Sequence, residues 1–271
     1  MPAHDLFKTY RTYHRSGDHF KPERTDLIVE IPLEIVINQQ RRILIMLTPQ
    51  MITELVVGFV FTEGLIGHPS EVLECSISTM SKDHGDEYLE ARVTLKSGTV
   101  FKKKKQETRV SYSSCGVCGK ENFNELEMGL GRVKSRHLFS MKTLRHVSER
   151  LTDYQPLYAR TGGAHAAILF QADGEALLHC EDMGRHNALD KLIGATLLKG
   201  WTRADKIVIS SGRASLEMIL KVTRAGFPIF VAMSRPTSRA VEAARFYNIT
   251  LVDFAKGSHR IYTHARRIEG F

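Results

Sequence analysis

The chain has 271 residues, 42% of them in the hydrophobic set, enough to bury a sizeable core in one large domain or two moderate ones. Its 25% charged and 8% aromatic residues are ordinary for a soluble globular protein. No stretch approaches the roughly 18 to 20 consecutive apolar residues of a membrane span, so no membrane is expected as a partner. With 38 Lys and Arg against 30 Asp and Glu the formal charge is +8, which favours anionic partners. The lysine run 102–105 has no interleaved aromatic residues, which argues against a single-strand nucleic-acid platform, and no nucleic acid is expected.

The first ten residues carry charge early and lack an apolar core followed by small residues, so they do not read as a secretory signal, and a cytoplasmic location is expected. Residues 1–20 are polar and patternless and read as a loose arm. Strands follow over 27–31, 33–37 and 42–47, with Asn38, Gln39 and Gln40 as a turn between the last two. Thr48 is placed as the cap of the next helix, with Pro49 at its first position. Ile52, Leu55, Val56, Phe59 and Val60 form its apolar stripe, and Gly64 closes it. A hairpin is expected from 88–95 and 99–101, and a helix near 141–151.

In the second half, 166–170 and 176–180 flank Asp173 and Gly174, a hairpin signal. Helices over 187–199, 215–225 and 237–247 then alternate with strands over 206–210, 229–232 and 250–254. Strands separated by single helices favour a parallel sheet with crossover helices.

Three strand exits share one composition. Ser210-Ser211-Gly212-Arg213, Ser234-Arg235-Pro236-Thr237-Ser238 and Phe254-Ala255-Lys256-Gly257-Ser258-His259-Arg260 each combine small hydrogen-bonding residues with a cation. Open α/β sheets bind ligands outside the carboxyl ends of their strands, and helix N-termini add free N–H groups there. A phosphate-bearing ligand is therefore expected at this crevice, with Ser234 and Thr237 among its contacts. Two other segments carry glycine and histidine: Thr161-Gly162-Gly163-Ala164-His165, and the run from Glu181 to Lys191 with Arg185 and His186 at a helix start. Each histidine taken alone reads as structural, with Asp182 or Asn187 capping the helix, and neither is expected to bind a catalytic metal.

Four cysteines, Cys75, Cys115, Cys118 and Cys180, are too few for a disulfide framework in a chain of this length, and reduced thiols are expected. Cys115-Gly116-Val117-Cys118-Gly119 is the sharpest local signal. A thioredoxin-like site would need the pair at a helix start within a βαβ unit, which the pattern lacks. A structural zinc site would need two further ligands. A Gly-flanked nucleophile carrying sulfur as a persulfide fits as well as zinc, and redox chemistry ranks third. The order of cysteines and histidines does not match the H-x-E and P-C-x-x-C of zinc deaminases.

Together these motifs resemble one family, the formate dehydrogenase accessory sulfurtransferases or FdhD proteins. The resemblance runs through residues 30–38, the helix end at 58–66, and the loop with Cys115 and Cys118. It continues with Thr161-Gly162-Gly163 and His165, then Glu181-Asp182 with Gly184 to Ala188, Asp190 and Lys191. Ser211-Gly212-Arg213 with Ser215, Glu217 and Met218 extends it, and Pro236-Thr237-Ser238 with Ala240-Val241-Glu242, and Tyr262-Thr263, complete it.

The resemblance implies an α/β protein with a C-terminal cytidine-deaminase-like mixed sheet, helices on both its faces, and a smaller β-rich α+β N-terminal part. The division it suggests is an arm at 1–20, a β-rich domain at 21–140 ending near the cysteine loop, and an α/β cofactor-binding domain at 141–271. It implies a homodimer that takes sulfur from a cysteine desulfurase and passes it to the bis-guanine-dinucleotide molybdenum cofactor (Mo-bis(molybdopterin guanine dinucleotide)) of formate dehydrogenase. Cys115 would carry the persulfide beside Cys118. Phe254, Ala255, Lys256, Gly257, Ser258 and His259 would bind the cofactor, with GDP or GMP as a fragment mimic. Ser258 and His259, followed by Arg260, stand where other members often have Gly then Arg. A non-covalent cofactor chaperone and a zinc-stabilised structural partner are the competing readings.

Overall fold

The computed structural model describes residues 4–81, 87–96, 109–110 and 130–271, without the side chains of Arg109, Val110 and Lys256. In the N-terminal part, alternating apolar residues build β3 (Ile31–Ile37) and β4 (Arg41–Leu47), with Leu33, Ile35 and Ile37 fully buried. The turn between them sits at positive φ on Asn38 and Gln39, and the Asn38 side chain accepts a hydrogen bond from Leu95 N at 2.7 Å. β5 (Val72–Ser81), β6 (Glu87–Leu95) and β7 (Arg109–Val110) complete a five-stranded sheet of order β5-β6-β3-β4-β7. β6 runs parallel to β3 and antiparallel to β5. Residues 99–101 of the expected hairpin lie outside the described residues. The strand found beside β6 is β5, whose mostly exposed side chains gave no apolar alternation to read.

The C-terminal part is a six-stranded sheet of order β13-β12-β11-β10-β8-β9. Its strands are β8 (His165–Phe170), β9 (Ala176–Asp182), β10 (Ile207–Arg213), β11 (Ile229–Ser234), β12 (Thr250–Asp253) and β13 (Arg260–Ile261). β10, β11 and β12 are parallel, whereas β8, β9 and β13 enter antiparallel, which makes the sheet mixed. Along β8, Ala166, Ile168 and Phe170 point to one side and Ala167 and Leu169 to the other, and all five are completely buried.

Helices cover both faces. On one lie α4 (Arg185–Leu198), α5 (Leu216–Ala225) and α6 (Ser238–Phe246); on the other lies α2 (Met141–Glu149), through Leu144 and Val147. A short α3 (Pro156–Thr161) precedes β8 and ends on Gly162 at φ 66°, where only glycine is free of strain. The fold is the α/β class expected, with the mixed sheet and helices on both faces.

One apolar core cluster runs from β3, β6 and α1 (Ile52–Thr62) into α4, α5 and the C-terminal sheet. Its centre is the crossing of α1 and α4. A Cβ on Gly58 would stand 1.9 Å from the Asp190 carbonyl oxygen, and one on Gly194 would stand 1.9 Å from that of Glu54. The two backbones therefore touch, which only glycine permits.

Two expectations are corrected. The expected arm at 1–20 is not loose from residue 7 on: β1 (Phe7–Ser16) and β2 (His19–Ile28) pair antiparallel over their full length. Most of their side chains are exposed on both faces, so they lack the alternation that marks a half-buried strand. Arg160 secures this hairpin, stacking 3.4 Å from the Phe7 ring and donating to Asp26 at 2.7 Å. Thr48 does not cap α1, which starts at Ile52 behind Met51 in a left-handed conformation. Thr48 is instead buried against the C-terminal part: its N–H donates to Asp182 at 3.1 Å and its hydroxyl accepts from Met183 N at 3.1 Å. Among the described residues no helix is long and apolar enough to cross a membrane.

Candidate functional site

The sheet register brings the three expected strand exits to one edge. Ser210 pairs with Ala232, and Ala232 with Asp253, so β10, β11 and β12 leave the sheet side by side. The start of β8 and the end of β9 share this edge, with His165 opposite Asp182. α4, α5 and α6 begin there. Ser215 Oγ accepts from Met218 N at 3.4 Å and Thr237 Oγ1 from Ala240 N at 3.2 Å, so both residues cap helices. The N-termini and positive dipole ends of three helices therefore lie along one sheet edge.

The β12 exit is organised by Asp253, a fully buried carboxylate that the sequence motifs did not single out. It accepts from Ser258 Oγ, from Tyr262 OH at 2.5 Å and from Ala255 N at 3.0 Å. Burial would raise its pKa, but these donors and the Arg260 charge outweigh burial and hold it below the ordinary carboxylate value. The loop thus closes into a turn over 255–257, with Gly257 at φ 73°. Phe254 and Ala255 are buried, and His259 stands exposed at 5.1 Å from the Phe254 ring, edge to face. Phe254 therefore props His259 and offers no open face of its own. Arg235 and Arg260, both exposed, lie near enough to Tyr262 to act on its phenol. Of the expected contacts, Ser234, Thr237, Gly257, Ser258 and His259 reach this edge; the Lys256 side chain lies outside the described residues.

At the β8–β10 side, Ser211 Oγ accepts from Ala166 N at 2.9 Å and lies 3.3 Å from His165 Nδ1. Burial and the Arg185 charge lower the His165 pKa, which favours a neutral ring. Arg185 lies across Gly212, where any Cβ would meet its side chain at 3.0 Å.

Most of the Glu181–Lys191 run is engaged in hydrogen bonds and ion pairs, but neither Asp182 nor Asn187 caps α4, whose N-cap is Gly184 without a side-chain cap. Glu181 accepts from Leu157 N and Tyr158 N, both at 2.8 Å, and so caps α3. Asp182 takes Gly184 N and Asn187 Nδ2, both at 2.9 Å, and pairs with Lys191 at 2.6 Å. Asp190 binds Lys221 at 2.8 Å and Thr62 at 2.8 Å. Burial works against the Lys221 charge, but Asp190 and Glu63 outweigh it and hold the ammonium protonated. His186 lies 3.3 Å from Glu217, both buried.

Cys115 and Cys118 lie outside the described residues. Cys75 is half-buried with its thiol pushed up to about 11 by burial, and Cys180 is buried with its thiol pushed up to about 12, again chiefly by burial. Among the described residues no three His, Cys, Asp or Glu side chains group to hold a metal.

The model of the FdhD/NarQ family matches residues 28–269. The chain belongs to the FdhD/NarQ family. A relative from Sulfolobus acidocaldarius, named sulfur carrier protein FdhD, is 37% identical over 257 residues, 93% of this chain and 95% of its own. A relative of the same name from Thermoplasma volcanium is 32% identical, covering 96% and 95% of the two chains. A solved structure from Desulfotalea psychrophila, assigned as a formate dehydrogenase accessory protein, superposes with a TM-score of 0.73 over 97% of this chain and 100% of its own. At 21% identity that likeness speaks for the FdhD/NarQ fold alone.

Proposed function

We propose that this FdhD/NarQ protein is a sulfur carrier that loads a persulfide on Cys115 and presents it to a guanine-nucleotide-bearing molybdenum cofactor held at the strand-exit edge, in the service of formate dehydrogenase. The observation that carries the reading is the state of the described thiols. Of four cysteines, half-buried Cys75 and buried Cys180 have thiols raised by burial and make poor nucleophiles, which leaves the Gly-flanked pair Cys115 and Cys118. Family membership and the naming of the relatives support sulfur as the cargo.

In the loading step the Cys115 thiolate attacks the outer sulfur of a cysteine desulfurase persulfide. A new S–S bond forms on Cys115, and the donor's cysteine leaves as thiolate. At the crevice, helix N-termini and the exposed Arg235 and Arg260 suit phosphates, and His259 offers a ring for a base. Substrate delivery to the client further implies a reversible, partly open site, and the resemblance implies a homodimer.

Mass spectrometry after incubation with a cysteine desulfurase and cysteine tests the loading. One added sulfur on Cys115 is expected, absent in Cys115→Ala, while Cys118→Ala retains it. Undiminished loading and formate dehydrogenase activation in Cys115→Ala would remove the assignment. Calorimetry with guanosine diphosphate tests the crevice. Binding that weakens with salt and in Lys256→Glu, with persulfide loading intact, is the expected result.

A further inference from the structure

The sheet has a second edge, beyond the amino ends of β10, β11 and β12, and a cavity of about 560 Å³ opens there. That volume lies within the range of small-molecule sites. Its walls come from the 135–138 segment, the turn at Asn248 and the 264–267 turn. These are bound to the sheet's amino end: Ser135 Oγ donates to Ala204 O at 2.5 Å, and Arg267 donates to Pro228 O at 3.1 Å and Thr250 Oγ1 at 2.8 Å.

Three cations, Arg136, Arg266 and Arg267, line the cavity together with His137 and His264, and among the described residues no Asp or Glu side chain does. Arg267 is only 8% exposed, and all its hydrogen bonds go to neutral oxygens. Among the described residues it has no carboxylate partner, and burial lowers its pKa. Neutral oxygens offset part of the cost of burying a guanidinium, and an anion beside it would offset more. Arg136 and Arg266 are exposed at the rim, without a described partner, where a planar fork can take phosphate oxygens. Two wall residues, Asn248 at φ 63° and His264 at φ 50°, are held in the left-handed region. Asn248 is anchored to Val133 O at 2.7 Å and His264 to Arg245 O at 2.9 Å.

We infer that this cavity is a second anion site, which takes a small phosphate-bearing molecule on Arg136, Arg266 and Arg267 at the edge opposite the strand exits. Its exposed Leu138 and Phe271 give the rim an apolar part that a nucleoside would cover. The site does not depend on the strand-exit reading, and the experiment separates the two.

Hydrogen exchange of the full chain is followed with inorganic pyrophosphate at matched ionic strength. Slower exchange over 135–138 and 264–268 is expected, and it persists in Lys256→Glu. The Arg136→Ala/Arg266→Ala variant removes only exposed side chains and should melt like the wild type. It should weaken pyrophosphate at this site by roughly tenfold or more, as loss of charge-assisted bonds does. Adenosine diphosphate that protects the same segments at lower concentration than pyrophosphate identifies the ligand as a nucleotide; equal concentrations identify a free polyphosphate. Exchange unchanged at both segments, protection confined to 254–260, or equal protection in the double variant would each overturn the inference.

Discussion

At the scale of single residues, burial decides which groups are chemically available. Cys75 and Cys180 carry thiols raised to about 11 and about 12, so at pH 7.5 almost none of either is thiolate. Brief alkylation of the native protein should therefore mark Cys115 and Cys118 and spare the other two until denaturant is added; early labelling of Cys180 would contradict its burial. Asp253 acts through a lowered pKa. Its ionised form is favoured in the folded state, so its contribution is full above the unfolded carboxylate value and is lost as pH falls from about 4 downward. Urea unfolding of Asp253→Asn should show less acid sensitivity than wild type. Asp253→Ala, which strands the Ser258 and Tyr262 hydroxyls, should cost about 1–3 kcal/mol at neutral pH and weaken guanosine diphosphate binding. The motifs pointed to the 254–259 loop but not to the buried carboxylate that shapes it. Nothing in the local sequence separates Asp253 from any aspartate at a strand end.

At the scale of elements, the crossing of α1 and α4 is the least forgiving contact. An added methyl at Gly58 meets the Asp190 carbonyl at 1.9 Å, and a backbone atom cannot rotate aside. Gly58→Ala should cost roughly 3 kcal/mol or more, since the helices must part. Gly131→Ala, where a Cβ has nothing within 4 Å, should be near neutral, and chemical denaturation of the two compares them directly. Elements with a buried face were legible: β3, β4, α1 and the alternating strands and helices after Ala166 all carry apolar periodicity that burial rewards. β1, β2 and β5 were not, because they expose most of both faces and are held by main-chain pairing that leaves no side-chain pattern. The start of α1 was misread for another reason. Thr48 has the chemistry of a cap, but its hydroxyl oxygen accepts from Met183 N, 135 residues away, instead of from the first turn of α1.

At the scale of the whole molecule, two buried lysines tie the N-terminal part to the C-terminal sheet. Lys191 joins Asp182 to the Thr48 carbonyl, and Lys221 joins Asp190 to Thr62. All four charges are buried, so removing one partner strands the other. Lys191→Ala should cost about 3–5 kcal/mol, and both parts should lose structure together. Trp201 fluorescence, which reports on the end of α4, should then change in step with hydrogen exchange in β3. Separate transitions would show that the lysines do not couple the parts. The consequence of the two ties is genetic. A gene cut in the 111–129 stretch would yield a first fragment with the bare glycine face of α1 and a second with Lys191 and Lys221 deprived of Thr48 and Thr62. Neither product should accumulate in soluble form by itself, whereas both expressed in the same cell should find each other and accumulate as a soluble pair.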